Sequence, residues 1–357
     1  MNKHLYGIYF IFILLFIASC KKEQDTEINE PSNSLEIRGV DMSFLPELRA
    51  SGVQLKNQNG VIEDALITAK NAGVNVVRLR VWNNNSDPNS SIAILKSIVQ
   101  EVHNLDMKVM LTVHYSDTWA DPAHQTKPSS WANADFQSLT DSVYEFTKLV
   151  TKELKPEYIQ IGNEINNGFL WPDGSFQNIN NFGLLLKSGV KAVRDVDSNA
   201  KIIIHFAGLE KADYFFNAIS SIDYDIIGLS YYPIWHGKDL DSLSNTLNRL
   251  STTHQKKIFV AETSYPFTFQ WNDWTNNVIG DSSQILSKFE ASTLGQMNYL
   301  NSIKNTLSNT PNGIGFCYWG AEWISFKGPN STVGSTWENQ AFWDFNNRAL
   351  PVFNCYK

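Results

Sequence analysis

The stretch from residue 74 to residue 116 reads VNVVRLRVWNNNSDPNSSIAILKSIVQEVHNLDMKVMLTVHYS and changes its periodicity twice. Its two ends, 74–82 and 107–116, are short apolar runs rich in β-branched residues, which is typical of buried strands. Between them, residues 91–105 carry apolar side chains at helical spacing. A strand, a helix and a second strand in this order predict a parallel βαβ unit.

The same alternation continues along most of the chain. Helical spacing recurs at 61–73, where Gly73 supplies a helix C-cap, and at 182–195. Eight such units in about 320 residues predict an α/β fold with a single domain, a (β/α)8 TIM barrel. No G-x-G-x-x-G follows a strand, so a dinucleotide-binding sheet is disfavoured. The strand candidates are 36–43, 74–82, 107–116, 158–164, 201–208, 224–233, 257–266 and 313–323.

Two segments fit the barrel pattern poorly. Nothing after residue 323 resembles a complete eighth helix, and residues 264–284 are expected to form a long loop.

The composition is that of a globular protein, with 43% hydrophobic and 18% charged residues. A net charge of -7 argues against a nucleic-acid partner, which would need a basic face. The 11 Trp, 13 Tyr and 21 Phe indicate either a large core or aromatic platforms for sugar rings.

The N-terminus predicts export. Residues 1–19 combine an early Lys and His with an apolar run too short for a comfortable membrane span, as in a signal peptide. The run ends in IASC, which resembles the lipobox of bacterial lipoproteins and implies cleavage before Cys20 and lipidation of its thiol. An ordinary signal peptide and a membrane anchor remain the alternatives. Residues 20–35 are then a flexible tether and 36–357 the barrel, held to an outer membrane or cell surface.

The two other cysteines leave a question open. Cys317 lies in the apolar run IGFCYW and is expected to be a buried thiol, while Cys355 is two residues from the C-terminus. A disulfide between them is allowed in an oxidising compartment, and the sequence does not decide it.

Polar and aromatic residues follow the strand candidates at their carboxyl ends, where barrels of this type hold their active sites. Arg78 and Arg80 are two residues apart and share one face of their strand, where a carboxylate must pair with them. A purely structural ion pair is the alternative. The residues at these ends are Asp41, Arg78, Arg80, His114, Asn163, Glu164, His205, Tyr231, Tyr232, Glu262, Trp319 and Glu322.

Glu164 and Glu262 follow the fourth and seventh strand candidates. Either one alone could be an acid that favours a helix N-terminus. Together, two carboxylates facing each other across a cleft suit glycoside hydrolysis, because one can protonate the leaving oxygen while the other attacks the anomeric carbon or activates a water. Their pKa values should then be pushed apart, with that of the acid raised.

Seven motifs carry a resemblance to glycoside hydrolase family 53, the endo-β-1,4-galactanases. The similarity extends from residue 37 to about residue 353, and SDTWADP together with GNE and LWP separates this family from related cellulases and mannanases. The motifs are RGVDMS at 38, VVRLRVWN at 76, HYSDTWADPAHQTKPSSW at 114, IGNEINNGFLWP at 161, GLSYYPIW at 228, VAETSYP at 260 and WENQAFWDF at 337.

The resemblance implies an endo-acting, retaining hydrolase of β-1,4-galactan and type I arabinogalactan, with Glu164 as acid/base and Glu262 as nucleophile. Asn163 would hydrogen-bond the sugar 2-hydroxyl, and Arg78 would lower the pKa of Glu262. Either Tyr231 or Tyr232 would hydrogen-bond the same carboxylate. Asp41, His114, Trp119 and Trp319 are expected to line the cleft, and the loop residues Trp119, Trp171 and Trp235 either stack on sugar rings or pack their loops.

No cofactor is expected to be required, and the protein is expected to be a monomer. Some family members bind calcium between the loops after strands seven and eight. Here the corresponding loop is 267–281, where Asp273 with Asn276 or Asn277 could contribute oxygen ligands, although acids are sparse. Two other functions stay open at this point. One is a related glycosidase acting on mannan or xylan, and the other is a surface lipoprotein that binds glycans without cleaving them.

Overall fold

The computed structural model describes residues 35–357, which form one compact unit. The predicted signal peptide (1–19), Cys20 and the tether up to residue 34 lie outside the described residues. Leu35, which the prediction assigns to the tether, is buried, and its carbonyl accepts a hydrogen bond from Arg38 Nη1 at 3.0 Å. Within residues 35–357 no helix is both long enough and apolar enough to cross a membrane.

Eight parallel strands form a closed barrel in sequence order, and β1 pairs with β8 to complete it. The (β/α)8 prediction is therefore confirmed. The strands are β1 (Ile37–Asp41), β2 (Val76–Val81), β3 (Lys108–Val113), β4 (Tyr158–Ile161), β5 (Lys201–Ala207), β6 (Ile226–Ser230), β7 (Lys257–Thr263) and β8 (Gly313–Tyr318).

Helices connect successive strands around the outside of the barrel, as parallel pairing requires. They are α1 (Leu45–Ala50), α2 (Ala65–Ala72), α3 (Ile92–Asn104), α4 (Phe136–Leu154), α5 (Ile179–Val196), α6 (Ala212–Ala218), α7 (Pro233–His236), α8 (Leu240–His254) and α9 (Thr293–Ser308). Short 3-10 helices lie at Ser129–Trp131, Ser282–Gln284, Glu338–Gln340 and Pro351–Tyr356.

The helix predicted at 61–73 forms a shorter α2 with a defined cap at each end. The Asp64 side chain accepts the backbone N–H of Leu66, and the chain leaves the helix at Gly73 with φ +104°. A Cβ at position 73 would lie 2.5 Å from the carbonyl oxygen of Tyr356. Gly73 is therefore required both for its left-handed backbone and for the close approach of the C-terminal segment.

The C-terminal segment takes the place of a complete eighth helix, as the sequence predicts. The 3-10 helix Pro351–Tyr356 packs against α9 and α2. The Tyr356 hydroxyl donates to the carbonyl of Gly39 at 3.1 Å, and Lys304 Nζ donates to the carbonyl of Cys355 at 2.9 Å. The loop predicted at 264–284 also forms, with only the single turn Ser282–Gln284 inside it.

Two apolar clusters stabilise the barrel. The larger one fills the space between the sheet and the surrounding helices. The smaller one lies inside the barrel, toward the amino ends of the strands, and closes that end with side chains. Its members are Ile37, Val76, Met110, Tyr158, Ile203, Ile226, Phe259, Ala261, Ile314 and Cys317.

Candidate active site

A cleft of about 580 Å³ opens at the carboxyl ends of the strands. The fold brings most of the predicted site residues together there, from seven of the eight strands and the segments that follow them. Tyr231, His205, Glu322 and Trp171 are not among its lining residues. The predicted residues that line it are Asp41, Arg78, Arg80, His114, Trp119, Asn163, Glu164, Tyr232, Trp235, Glu262 and Trp319.

Glu262 reaches the cleft through an irregularity in β7. The register between β6 and β7 pairs Leu229 with Val260 but Ser230 with Glu262, so one extra residue is accommodated at this point. In a regular strand Ala261 and Glu262 would point to opposite faces. The bulge interrupts that alternation, so that both side chains point into the barrel. As a result Ala261 belongs to the inner apolar cluster while its neighbour Glu262 lines the cleft.

Glu164 reaches the cleft through a left-handed turn at the end of β4. The strand stops at Ile161, earlier than the predicted residue 164, and Gly162 follows with φ +82°. Glu164 itself has φ +48°, a conformation that costs a glutamate on the order of 1 to 3 kcal/mol. This departure from strand geometry lets two successive side chains, Asn163 and Glu164, both line the cleft.

Arg78 connects the two halves of the site. Its Nη1 donates to Asp41 Oδ2 at 2.7 Å, and its Nη2 donates to Glu262 Oε1 at 2.6 Å and to Asn163 Oδ1 at 3.0 Å. Its Nε donates to Gln160 Oε1 at 2.9 Å. Each nitrogen of the buried guanidinium thus has an acceptor, and two carboxylates balance its charge, as a charge in a barrel interior requires.

Tyr232 is the tyrosine that contacts Glu262. Its hydroxyl donates to Glu262 Oε2 at 3.0 Å, so both carboxylate oxygens have a donor. The structure contradicts the prediction of Tyr231 as a site residue, because its hydroxyl donates away from the cleft to the carbonyl of Gly237 at 2.8 Å. Alternation along the strand could have chosen between them, since Ser230 faces inward and Tyr232 is two residues further on.

The two carboxyl groups titrate differently from exposed acids. Burial, together with the nearby charge of Glu262, raises the pKa of Glu164 to about 8. Burial also raises the pKa of Glu262, while Arg78 and the Tyr232 hydroxyl lower it. Arg78 therefore lowers the pKa of Glu262, as expected, although the effect of burial is larger.

A chain of buried hydrogen bonds runs from Arg78 to Glu164. Because Gln160 Oε1 accepts from Arg78, its Nε2 must be the donor to His205 Nδ1, at 3.0 Å. His205 then carries its proton on Nε2, which lies 2.8 Å from Ser230 Oγ. The Ser230 hydroxyl donates in turn to Glu164 Oε1 at 2.5 Å. Glu164 Oε1 is therefore an acceptor, and an acid proton would sit on Oε2.

His114 is held as a neutral donor. Its Nδ1 accepts the indole N–H of Trp82 at 3.2 Å and the backbone N–H of Ala120 at 3.1 Å, so its proton lies on Nε2. Burial and the charges of Arg80 and Arg78 keep its pKa well below the ordinary value. The ring can therefore offer one N–H to a ligand without carrying charge.

Arg80 is held by aromatic rings and has no carboxylate partner within residues 35–357. Its guanidinium carbon lies 4.3 Å from the Phe44 ring centroid and 4.2 Å from that of Trp119. Its Nε donates to Ser90 Oγ at 2.7 Å. The structural ion pair considered for both arginines thus forms at Arg78 but not at Arg80.

Tryptophans form much of the cleft wall. Trp119 is 37% and Trp235 55% exposed, so both offer ring surface to a ligand. Trp171 does not line the cleft; its Nε1 donates to the carbonyl of Asn167 at 3.0 Å and anchors the loop after β4. Sequence reasoning missed Trp337, a lining residue whose buried indole N–H has no partner among the described residues. Such an unpaired donor suits a sugar hydroxyl.

Glu322 lies behind the cleft wall. Its Oε1 accepts the backbone N–H of Phe44 at 2.6 Å, whereas its buried Oε2 has no partner in the described part of the chain. Burial and the charge of Asp41 raise the pKa of Glu322 to about 8. This residue therefore positions the Phe44 segment as a neutral acid rather than facing a ligand.

The loop after β7 that is predicted to bind calcium and the neighbouring segment after β8 contain oxygens with and without hydrogen-bond donors. Asp273 is buried and accepts the Thr275 N–H at 2.6 Å and the Ser325 hydroxyl at 2.8 Å. Asn277 Oδ1 and Glu338 Oε2 are buried acceptors without a partner within residues 35–357. No group of three or more His, Cys, Asp or Glu forms a metal site in that range. Two orphaned oxygens near a buried carboxylate fit a cation that draws further ligands from the backbone.

Cys317 and Cys355 are both buried and both free. Cys317 packs in the inner apolar cluster, and the Cys355 thiol lies 3.3 Å from the carbonyl of Met297. The disulfide that the sequence left open is not formed.

Comparison with known proteins gives a consistent result. The family model described as "Glycosyl hydrolase family 53" matches residues 37–356. An endo-beta-1,4-galactanase of Bacillus subtilis (strain 168) is 33% identical, over 92% of this chain and 87% of the relative. An arabinogalactan endo-beta-1,4-galactanase of Cellvibrio japonicus (strain Ueda107) is 33% identical over 89% and 90%.

Solved structures agree with these sequence relatives. The GH53 catalytic domain of Ignisphaera aggregans superposes with a TM-score of 0.85 at 37% identity, covering 90% of this chain and 95% of that one. Because the family model matches nearly all of the described residues and the relatives match over most of their lengths, the resemblance read from the motifs is confirmed. The chain belongs to glycosyl hydrolase family 53.

Proposed function

We propose that this protein is an endo-acting, retaining hydrolase that cleaves β-1,4-galactosidic bonds in galactan and type I arabinogalactan. Glu164 is its acid/base and Glu262 its nucleophile. The observation that carries the proposal is a cleft with two buried carboxyl groups in unlike surroundings: Glu262 has donors on both oxygens, while Glu164 has a pKa raised to about 8. The names of the family relatives supply the substrate class.

In the first step, a Glu262 carboxylate oxygen attacks the anomeric carbon and the glycosidic C–O bond breaks. The leaving oxygen takes the proton from Glu164, which is available because a pKa of about 8 keeps that group protonated at neutral pH. The Ser230 hydroxyl occupies Oε1 and directs the acid proton to Oε2. Asn163 retains one Nδ2 hydrogen beyond its bond to the carbonyl of Ala120, and this hydrogen serves the sugar 2-hydroxyl.

In the second step, water attacks the anomeric carbon of the glycosyl ester, and Glu262 leaves as a carboxylate. Glu164 takes the water proton. Its pKa falls at this stage because esterification has removed the charge of Glu262, one of the two main causes that raise it. One group can thus act as acid and then as base, and the sugar keeps its anomeric configuration.

Hydrolysis of defined polysaccharides tests the substrate. We expect purified protein to release reducing sugar from β-1,4-galactan and little from mannan or xylan. Cleavage of mannan or xylan with galactan left intact would assign the protein to another substrate. Binding of galactan without reducing-sugar release, in a sample whose fold is verified by circular dichroism, would identify a binding protein instead of an enzyme.

We also propose that the loop after β7, with Asp273 and Asn277, and the segment after β8, with Glu338, hold a calcium ion that stabilises the fold. The two orphaned acceptor oxygens support this proposal. Removal of calcium with a chelator should lower the melting temperature, and added calcium should restore it in the natural protein but not in Asp273→Asn. An unchanged melting temperature after chelation would contradict the proposal of a stabilising calcium ion.

Export and lipid anchoring remain a proposal from the sequence, since residues 1–34 lie outside the described residues. We propose that the mature protein begins at a lipidated Cys20 and works as a monomer beside an outer membrane or cell surface. Cys20→Ala should move the protein from the detergent phase to the aqueous phase in a Triton X-114 partition. Light scattering of a soluble form beginning at residue 35 tests the monomer.

A further inference from the structure

His205 is a buried polar residue of β5 that does not line the cleft. Its side chain points into the barrel, as does that of Ile203 two residues earlier, which belongs to the inner apolar cluster. Burial and the charge of Arg78 keep the pKa of His205 well below its ordinary value, so the ring is neutral. A neutral imidazole has one N–H donor and one bare nitrogen, and the choice between them decides what its neighbours can do.

Gln160 decides which ring nitrogen of His205 carries the proton. Because Arg78 only donates, Gln160 Oε1 is the acceptor at 2.9 Å, and the amide nitrogen faces His205 Nδ1 at 3.0 Å. The other tautomer, with its N–H on Nδ1, would satisfy Asn163 Oδ1 at 3.1 Å. It would also set that N–H against the N–H of Gln160, and Asn163 Oδ1 already accepts from Arg78 Nη2. The proton therefore belongs on Nε2.

The Nε2–H of His205 sets the direction of the Ser230 hydroxyl. Ser230 Oγ lies 2.8 Å from His205 Nε2 and 2.5 Å from Glu164 Oε1, and a hydroxyl carries only one hydrogen. With a donor on the histidine side, that hydrogen points to Glu164. A bare Nε2 would compete with the carboxyl group for it. Hydrogen bonds in such a chain polarise one another, so donation by His205 also strengthens the bond from Ser230 to Glu164.

The orientation of the Glu164 carboxyl group depends on this one bond. Within residues 35–357 the Ser230 hydroxyl is the only hydrogen-bond donor to the Glu164 side chain. Glu262, in contrast, is held at one oxygen by Arg78 and at the other by Tyr232. A small loss of orientation at the acid is costly, because the proton must be delivered to a leaving oxygen at a defined position.

We propose that His205 is a positioning residue for the acid/base. Held by Gln160 as the tautomer with its proton on Nε2, it donates to Ser230 and turns the Ser230 hydroxyl toward Glu164, which keeps the acid proton on Oε2. The inference rests on the proposed function and adds to it a residue that touches neither the cleft nor the substrate.

Two substitutions distinguish the nitrogen atoms of the ring. His205→Gln places an amide N–H near the position of Nε2 and can still donate to Ser230, whereas the shorter His205→Asn reaches only the position of Nδ1. We expect His205→Asn to lower kcat/KM on β-1,4-galactan about fivefold, the scale of one lost hydrogen bond. Its alkaline limb should move to higher pH by up to about half a unit, because the carboxylate form of Glu164 loses stabilisation. His205→Gln should recover both, and His254→Gln, half-buried on α8, is the matched control.

A double variant tests whether His205 acts through Ser230. Ser230→Ala already removes the hydroxyl, so adding His205→Asn should leave the alkaline limb where Ser230→Ala places it. Nitrogen NMR of protein labelled with ¹⁵N-histidine provides a readout that does not depend on turnover. We expect the His205 proton on Nε2 across the pH range of activity, with the ring assigned by its loss in His205→Asn.

Several results would overturn the positioning role while the galactanase proposal stands. They are equal behaviour of His205→Gln and His205→Asn, limb shifts that add in the double variant, and a proton on Nδ1. A lower melting temperature of His205→Asn with an unchanged alkaline limb would mean that the histidine only fills space, which also overturns it. Failure of the natural protein to cleave galactan would overturn the proposed function, and the positioning role with it.

Discussion

The two ends of the barrel interior are built from the same strands but hold opposite kinds of side chain. In β2, Val76 lies in the inner apolar cluster and Arg78, two residues later, lines the cleft. In β5, Ile203 lies in the same cluster and His205 joins the hydrogen-bonded chain to Glu164. Because side chains on one face of a strand repeat every two residues, a shift of about 7 Å along that face separates apolar packing from buried, largely hydrogen-bonded polar groups.

This difference separates the residues that stabilise the fold from those that carry out its chemistry. The apolar end is held by shape and burial, so its members contribute stability and can be replaced by residues of similar volume. At the polar end the two carboxyl groups are fixed by specific partners, Glu262 by Arg78 and Tyr232 and Glu164 by Ser230. Glu164 is also held in a strained backbone conformation. We therefore expect substitutions at the apolar end to reduce stability and those at the polar end to reduce turnover.

The largest effect is expected at Glu262. Glu262→Gln keeps the side-chain shape but removes the nucleophilic charge, so kcat on β-1,4-galactan should fall by at least about 10⁴-fold. Its melting temperature should stay close to that of the natural protein. Glu145→Gln, on the exposed face of α4, is the matched control. Turnover within tenfold of the natural value would refute the nucleophile assignment.

The opposite behaviour is expected at Phe259, which is fully buried in the inner apolar cluster. Phe259→Ala should lower the free energy of unfolding by about 3 to 5 kcal/mol, through lost burial and a new cavity. The fraction that remains folded should retain most of its kcat. Val61→Ala, at a 60% exposed position, should change stability little. A large fall in the kcat of the folded fraction would contradict the assignment of stability to the apolar end and turnover to the polar end.

The pH dependence of the free energy of unfolding should show the energetic cost of burying Glu322. Its folded pKa of about 8 exceeds the ordinary value of 4.5, so the stability it contributes is complete below pH 4.5 and is lost as pH rises to about 8. Glu322→Gln cannot titrate and should therefore gain stability relative to the natural protein across that window, on the order of 4 kcal/mol. Urea unfolding at pH 5 and pH 8.5 measures the gain. An equal difference at both pH values would contradict it.

The smallest effect is expected at Ser230, whose hydroxyl lowers the pKa of Glu164. Activity needs protonated Glu164 and is lost as pH rises through its pKa of about 8. Ser230→Ala should therefore move the alkaline limb of kcat/KM upward, by roughly half to one pH unit. Ser251→Ala, another buried serine, should leave the limb in place. An alkaline limb that moves to lower pH, or that moves equally in both variants, would contradict the claim that the Ser230 hydroxyl lowers the pKa of Glu164.

Much of the barrel followed from the sequence because period-two and helical spacing report directly on burial. The same alternation could have selected Tyr232 over Tyr231. It could not have given the orientation of Glu262, because one extra residue in β7 reverses the alternation just before it. Nor could it have given that of Glu164, whose left-handed backbone depends on Gly162 and the surrounding contacts. Those two residues were predicted from their positions at the ends of the fourth and seventh strand candidates, and the motif resemblance supplied their separate roles.

Other parts of the site depended on three-dimensional neighbours. Gln160 and Ser230 look unremarkable in apolar strands, and only the closed barrel joins them through His205 to Glu164. The net direction of the Glu262 pKa shift depends on how deeply the group is buried, which a motif does not report.

The anomeric configuration of the first product tests the central claim most directly. Proton NMR of β-1,4-galactan hydrolysis, recorded before mutarotation, distinguishes the two configurations. If Glu262 forms a glycosyl ester and Glu164 then activates water on the same face, the β-anomer must appear first. Initial appearance of the α-anomer would mean direct attack by water, and would contradict the roles assigned to both carboxyl groups.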